Sequence, residues 1–264
     1  YSLSEEASLL RPSLIPGMVT MLAHNLNRDI KEVRLFEQGQ TFTGTTDHVI
    51  ETPQLTLGLT PANPQNTPPH MAKDVPFFEI KGAVESLLSL FDLGASADGD
   101  PVTFTAEAPA WLQPGRAATA LLNNQPIAHF GELTAAEAAQ RKLRQPIYLA
   151  QIDLARLYEL PLRKVTARDL SRFQAVERDF SFTFPDDVHW NTIAHALQSL
   201  NIEELQSLRP AEVWRDPKKF PGVYSLLVRC VFQSNDRTLR DDELTAWWST
   251  IIATLTQLGG TLRS

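Results

Sequence analysis

Residues 176–184 read Val-Glu-Arg-Asp-Phe-Ser-Phe-Thr-Phe, and their second part alternates between polar and aromatic side chains. Successive side chains of a β-strand point to opposite faces of the sheet. Phe180, Phe182 and Phe184 therefore predict a buried face. The intervening Ser181 predicts a second face, which stays open to solvent or to a ligand.

The sequence after this strand predicts the rest of a small α+β domain. The expected elements are a helix over 191–200, a second helix that begins behind Thr238 and runs to about 257, and strands over 179–184, 208–214, 224–233 and 261–263. Thr238 with Asp241 resembles a capping box at the start of the second helix, and Gly259-Gly260 would end it. This strand–helix–strand–strand–helix–strand order predicts a ferredoxin-like fold, in which both helices cover one face of an antiparallel sheet.

The residues before this domain predict a larger α+β domain. Its expected elements are helices over 14–27, 81–91 and 133–140, and strands over 32–42, 55–59, 77–80, 102–105, 117–122, 127–131 and 147–154. Asn123-Asn124 predicts a hairpin turn, and the prolines between 61 and 76 predict a long surface loop. The segment 158–172 is basic and lacks an apolar period, so we place the domain boundary there, between residues 165 and 166.

Lys81-Gly82 follows a predicted strand, at a position where a phosphate-binding loop would begin. Such a loop needs a run of glycines, and the sequence does not have one here. We therefore interpret Gly82 as a site of close helix packing.

The charge distribution limits how the chain can bind nucleic acid. Residues 166–264 hold 11 Lys and Arg against 13 Asp and Glu, a formal charge of −2, which leaves −5 for residues 1–165. Proteins that bind nucleic acid mainly through bulk electrostatics are basic. Any RNA contact must therefore depend on a few placed groups.

The remaining composition indicates a protein of a reducing compartment. Cys230 is the single cysteine and lies in an apolar run, which predicts a buried thiol. No histidine has a cysteine or histidine neighbour at zinc-ligand spacing. The sequence has no signal peptide and no apolar run of membrane length, so we expect a cytoplasmic protein. Because it begins at Tyr1 without an initiator Met, we expect it to be part of a longer chain.

Three groups of motifs together indicate a family. They are Leu10-Arg-Pro-Ser-Leu-Ile-Pro-Gly-Met18 with Asn25-Leu-Asn-Arg28 and Val33-Arg-Leu-Phe-Glu-Gln-Gly39, then Phe77-Phe-Glu-Ile-Lys-Gly82, then Val176-Glu-Arg-Asp-Phe-Ser181 with Asp236-Arg-Thr-Leu-Arg-Asp-Asp-Glu243. In this order and spacing they resemble the C-terminal region of the bacterial phenylalanyl-tRNA synthetase beta subunit. The resemblance covers essentially the whole chain.

The resemblance implies a fold, a function and partners. Residues 1–165 would form an antiparallel-sheet class II synthetase-like core domain without catalysis, and residues 166–264 a ferredoxin-fold anticodon-binding domain. The whole enzyme would be an α₂β₂ phenylalanine–tRNA ligase that uses ATP and Mg²⁺, whereas this chain would bind no cofactor and no metal itself. Its partners would be the alpha subunit and tRNA(Phe). The alternative is a free-standing, non-enzymatic interaction protein with an inactive synthetase-like fold.

Two positions bear on catalysis by this chain. Class II synthetases hold ATP with two arginines, one of them two residues before a glutamate on the same strand. Here the residue two before Glu37 is Leu35, and Arg34 falls on the opposite face of a regular strand. The second arginine would stand at Leu154, and leucine cannot stabilise phosphate charge. We therefore expect no catalytic residues in this chain.

The resemblance also implies an RNA-binding site on the open face of the second sheet. The family contacts the anticodon through a small residue after an Arg-Asp pair, an Asp-x-Tyr and a serine. These positions correspond to Ser181, Glu212, Trp214 and Ser225. Glu replaces Asp and Trp replaces Tyr, which keeps a carboxylate that can accept from guanine and a flat ring that can stack on a base.

The chain on its own should form no phenylalanyl-adenylate, because leucines stand at both positions where arginines would hold ATP. The measurement is phenylalanine-dependent exchange between ATP and pyrophosphate, with an assembled ligase as the positive control. Exchange above the background of a mock preparation would show that the chain holds ATP in another way.

Overall fold

A computed structural model describes residues 10–30, 32–45, 47–61, 75–94, 101–167 and 170–263. Contacts between Cα atoms divide the chain into two compact units, Tyr1–Val165 and Thr166–Ser264. Most of the predicted proline-rich loop, residues 62–74, lies outside the described residues. Within the part that is described, every helix is too short or too polar to cross a bilayer.

Unit 1 is built around a six-stranded sheet in which all neighbouring strands are antiparallel. Its elements are α1 (Ile15–Leu26), β1 (Arg34–Thr45), β2 (His48–Leu59), α2 (Val75–Leu88), β3 (Val102–Thr105), β4 (Leu112–Leu122), β5 (Gln125–Leu133), α3 (Ala135–Gln140), β6 (Tyr148–Asp153) and α4 (Leu154–Tyr158). The strand order is β1-β2-β6-β5-β4-β3. The predicted turn at Asn123-Asn124 is confirmed, with positive φ at both residues, as a tight hairpin needs.

Helices cover both faces of this sheet. Gly58 and its partner Leu149 face α1, whereas their neighbours Leu57 and Ala150 belong to the cluster that includes α2 and α4. Gly58 allows the close approach of α1, because a Cβ added there would lie 2.8 Å from the Met18 side chain. One face of the sheet therefore packs against α1 in one apolar core, and the other face packs against α2 and α4 in a second core.

The predicted strand over 77–80 is wrong, because these residues lie inside α2. Ile80, Val84 and Leu88 recur every four residues and are all buried, which is the pattern of one helical face. Pro76 does not interrupt this helix, because it stands in the first turn, where its missing N–H has no partner to lose. Lys81-Gly82 is therefore helical and not a phosphate loop.

Helix caps explain two of the other boundaries in unit 1 that differ from the prediction. The helix predicted from residue 133 begins at Ala135, where the Thr134 hydroxyl accepts a hydrogen bond from the Glu137 amide at 3.4 Å. Leu154 was expected to end a strand, but it begins α4. The side chain of Asp153 caps that helix by accepting from the Ala155 amide at 3.0 Å.

Unit 2 has the predicted ferredoxin-like order. Its elements are β7 (Val176–Pro185), α5 (Trp190–Gln198), β8 (Leu205–Trp214), β9 (Val223–Phe232), α6 (Asp241–Gln257) and β10 (Thr261–Leu262). The antiparallel strands lie in the order β10-β7-β9-β8. Phe180, Phe182 and Phe184 are buried as predicted and pack in one cluster with Ile193 of α5 and Ile251 of α6. Both helices therefore cover one face.

The predicted cap of α6 is wrong. The helix begins at Asp241, and its capping group is the Glu243 carboxylate, which accepts from the Arg240 amide at 3.1 Å and from the Arg237 guanidinium at 2.6 Å. Thr238 and Asp241 do not form the predicted pair. Glu243 forms the cap because it stands three residues after Arg240, the residue that precedes the helix.

The helical state of residues 75–88 makes a stability prediction. An alanine at Gly82 meets no atom within 4 Å, so the close packing expected from the sequence is wrong. Gly82→Ala should raise the free energy of unfolding by about 0.5–1 kcal/mol, the usual gain for alanine over glycine inside a helix. The measurement is urea unfolding followed by far-UV circular dichroism.

The matched control is Gly58→Ala. Its added methyl would meet Met18 and Leu22 at under 3 Å, so it should destabilise the chain by about 1–3 kcal/mol. Loss of stability in Gly82→Ala would contradict the helix.

Candidate RNA-binding site

Two rows of side chains cross the open face of the unit 2 sheet. In the first row, Ser181 of β7 and Glu212 of β8 both pair with Leu227 of β9. In the second row, Ser225 of β9 pairs with Trp214 of β8. The structure thus brings all four residues expected from the sequence onto one face, on three neighbouring strands.

A β-bulge in β8 sets this arrangement. Pro210 pairs with Val228 and Glu212 with Leu227, so Ala211 is an extra residue without an opposite partner. A bulge re-aims the side chains that follow it. Without this one, Ala211 would occupy the position opposite Leu227, and the carboxylate would fall on the other face.

The four residues line a shallow cavity of about 300 Å³. Its full lining is Ser181, Glu212, Trp214, Ser225, Leu226, Leu227 and Arg263. Three lining residues, Arg263, Leu226 and Leu227, were not expected from the sequence. For Leu227 the signal was available, because it alternates with Leu226 and Val228 along a predicted strand.

Arg263 reaches the cavity from the opposite edge of the sheet. Its backbone amide donates to the Ser181 carbonyl at 2.8 Å, which continues the pairing of β10 with β7. Its guanidinium donates through Nη1 to Ser225 Oγ at 2.7 Å. The side chain therefore extends over β7 toward β9, and the small size of Ser181 leaves room for it.

Trp214 keeps a ring available for stacking. Its side chain is partly exposed, and the ring meets Phe220 in an edge-on arrangement with centroids 5.8 Å apart. Phe220 lies in the turn between β8 and β9, where its amide donates to the Asp216 carbonyl at 2.8 Å. This contact orients the indole from one side and leaves a flat surface toward solvent.

The acidic residues beside the cavity are neutralised within the sheet. Asp179 accepts two hydrogen bonds from Arg229, at 2.8 and 2.7 Å, and Glu177 lies 3.1 Å from the same guanidinium. The Arg229 hydrogen bond holds the pKa of Asp179 below its ordinary value. These two carboxylates therefore repel a nearby phosphate less than unpaired ones would.

The positions that would hold ATP in unit 1 do not fit it. Leu35 packs against the cluster of α1, and Leu154 is buried among apolar side chains. Arg34 donates to the carboxylate of Glu79 and, at 2.8 Å, to the Thr60 carbonyl. These positions therefore do not supply the two arginines that hold ATP in class II synthetases.

Two family models match the chain. The family model described as "Phenylalanyl tRNA synthetase beta chain CLM domain" matches residues 1–154. The chain belongs to this family. A second model, described as "Ferredoxin-fold anticodon binding domain", matches residues 171–263. The predicted fold class is confirmed: an α+β chain with an antiparallel-sheet domain of the synthetase beta-chain family followed by a ferredoxin-fold domain.

Curated relatives are phenylalanine–tRNA ligase beta subunits. The one from Paramagnetospirillum magneticum is 27% identical over 99% of this chain and 33% of its own length. The one from Pseudomonas syringae is 31% identical over 99% of this chain and 32% of its own length. This chain thus spans about a third of these relatives. A solved pyrrolysyl-tRNA synthetase from Desulfitobacterium hafniense has a TM-score of 0.41 at 16% identity, covering 56% of this chain and 47% of that one.

The register of β9 can be tested through Cys230. Its side chain is fully buried on the core face, opposite to that of Ser225, and burial raises the pKa of the thiol to about 12. Thiolate is the reactive form, so a thiol reagent at pH 8 should label Cys230 only as fast as the domain unfolds.

Labelling should therefore accelerate with added urea, and above the unfolding midpoint unfolding should no longer limit its rate. Rapid labelling of the native chain would place Cys230 on the open face and remove Ser225 from the cavity.

Proposed function

We propose that this chain is a C-terminal region of a phenylalanine–tRNA ligase beta subunit in which unit 2 recognises the anticodon of tRNA(Phe). The observation that carries the proposal is the convergence of an aromatic ring, a carboxylate and two serine hydroxyls in one cavity on an open sheet face. The matches to beta subunits over nearly the whole chain favour this function over a free-standing interaction protein.

RNA loops suit such a cavity. Their bases can unstack and present both a flat face and hydrogen-bonding edges. Stacking on an aromatic side chain contributes roughly 1–3 kcal/mol per base, which is the role we assign to Trp214. Glu212 accepts hydrogen bonds from the donor edge of guanine, the first anticodon base. Ser181 and Ser225 are small enough to let the base approach the sheet.

This recognition depends on shape and hydrogen bonds more than on net charge. Unit 2 carries a formal charge of −2, so few phosphates can be neutralised and the counterion contribution to affinity is small. Discrimination between anticodons then has to come from the cavity. Other parts of the complete ligase hold the body of the tRNA.

We assign unit 1 a supporting role. It is the non-catalytic, synthetase-like partner of the alpha subunit in an α₂β₂ assembly in the cytoplasm. ATP and Mg²⁺ are bound by the alpha subunit, in keeping with the leucines at positions 35 and 154 of this chain. This assignment accounts for a synthetase-like sheet whose ATP-binding positions are occupied by apolar side chains.

The test is Trp214→Ala in the assembled ligase. Aminoacylation of tRNA with guanine as the first anticodon base is compared with that of tRNA in which this base is changed. The substitution removes the stacking surface, so the ratio of the two kcat/KM values should fall by about 5- to 150-fold, equivalent to roughly 1–3 kcal/mol. Adenylate formation should stay unchanged, because it does not involve the anticodon.

Trp214→Phe is the matched control. It keeps a flat ring and should retain most of the discrimination. If Trp214→Ala discriminates between the two tRNAs as well as the parent enzyme does, the cavity is not the anticodon site.

A further inference from the structure

Arg263 and Glu212 face each other across the cavity of unit 2. They lie at the two ends of one row of the sheet, Arg263 directly after the edge strand β10 and Glu212 on the edge strand β8, with Ser181 and Leu227 between them. Three strand spacings separate the ends of this row, about 14 Å from backbone to backbone. Among the described residues, no salt bridge joins either side chain to a partner.

A cavity with this pair of charges selects a particular kind of ligand. A phosphate placed beside Arg263 would also lie near the carboxylate of Glu212 and be repelled by it. A neutral base avoids this cost if one of its edges donates hydrogen bonds and another accepts them. Guanine is the RNA base that has two adjacent donors, N1–H and the N2 amine, and also two adjacent acceptors, O6 and N7.

The side chains match these edges in number. A carboxylate can accept two hydrogen bonds, and a guanidinium has five N–H groups in a fixed fork. Only one of the Arg263 donors contacts Ser225, so others remain for a ligand. The forked pairing of arginine with O6 and N7 is the commonest specific contact with guanine. Arg229, which stands two residues from Leu227 on β9, is already paired with Asp179 and Glu177.

We propose that Arg263 is a second base-reading residue, which donates to O6 and N7 of the guanine whose N1–H and N2 amine donate to Glu212. Ser225 positions the guanidinium, and Trp214 stacks on the base. This inference rests on the proposed anticodon recognition and adds the group that reads the acceptor edge.

Single-atom changes in the base can separate the two contacts. The assembled ligase is assayed with tRNA carrying guanine, 7-deazaguanine or inosine as the first anticodon base, which respectively keep all groups, remove N7 and remove the N2 amine. The parent enzyme should lose activity, as kcat/KM, with both analogues. Arg263→Gln should lower kcat/KM for guanine by about 5- to 150-fold, the effect of one bidentate pair.

The decisive result is the pattern of sensitivities. Arg263→Gln should become indifferent to 7-deazaguanine but stay sensitive to inosine, and Glu212→Gln should show the reverse. Arg263→Lys keeps the charge but loses the fork, so it should resemble Arg263→Gln and not the parent. Arg172→Gln removes a positive charge near the end of β9 that is remote from Ser225. This variant should behave as the parent, which separates a base contact from a general charge effect.

Two negative results differ in what they overturn. In the first, the parent discriminates guanine from other bases, but Arg263→Gln remains as sensitive to 7-deazaguanine as the parent. Arg263 then does not contact the base, and the proposed anticodon site is retained without it. If the parent does not distinguish guanine from other bases at this position, both the proposed anticodon site and the proposed role of Arg263 are wrong. Loss of activity in Arg263→Gln by the same factor on all three tRNAs, together with parent-like activity of Arg263→Lys, would identify a phosphate contact and overturn the proposal.

Discussion

The candidate site depends on one irregularity in a hydrogen-bonded sheet, the extra residue that β8 carries at Ala211. The side-chain period of a strand is two, so a shift of one residue exchanges the two faces. Without the bulge, Ala211 and Val213 would lie opposite Leu227 and Ser225, and the cavity would have neither a carboxylate nor an aromatic ring. Pro210 suits this place, because proline in a sheet is confined to edge strands and bulges.

Packing on the core face fixes the other side of the cavity. The chain must turn sharply from α6 into β10, and Gly259 makes this turn with a φ of 85°. A Cβ added to Gly260 would lie 2.6 Å from the Phe184 ring, so the turn sits directly on the core. Since β10 is so short, this contact and the pairing with β7 determine where Arg263 stands. The position of a cation on the open face is therefore set by an aromatic residue on the buried face.

These two features explain which parts the sequence could predict. Alternation placed Ser181 and Ser225 on the open face, because β7 and β9 are regular and each buries a continuous set of apolar side chains. Arg263 lies beyond the last paired residue of a two-residue strand, where no pattern can develop. The strand predicted over 77–80 was wrong for a related reason. Four residues with three apolar side chains fit a strand or a helix equally well, and only packing of Ile80 with Val84 and Leu88 decides between them.

The two sheets also differ in how their polar groups are satisfied. A polar row crosses unit 1 in register, made of Thr119, His129, Gln151, Thr56 and Glu37. Most of its members already have protein partners: Thr119 with His129, Gln151 with Gln54, Glu37 with Arg11. A ligand there would have to replace existing hydrogen bonds, so its net gain would be small. In unit 2, Glu212 and the ring of Trp214 face solvent. A base bound to them would add contacts without replacing hydrogen bonds between protein side chains at these two residues. This difference is the physical reason for assigning recognition to unit 2 and support to unit 1.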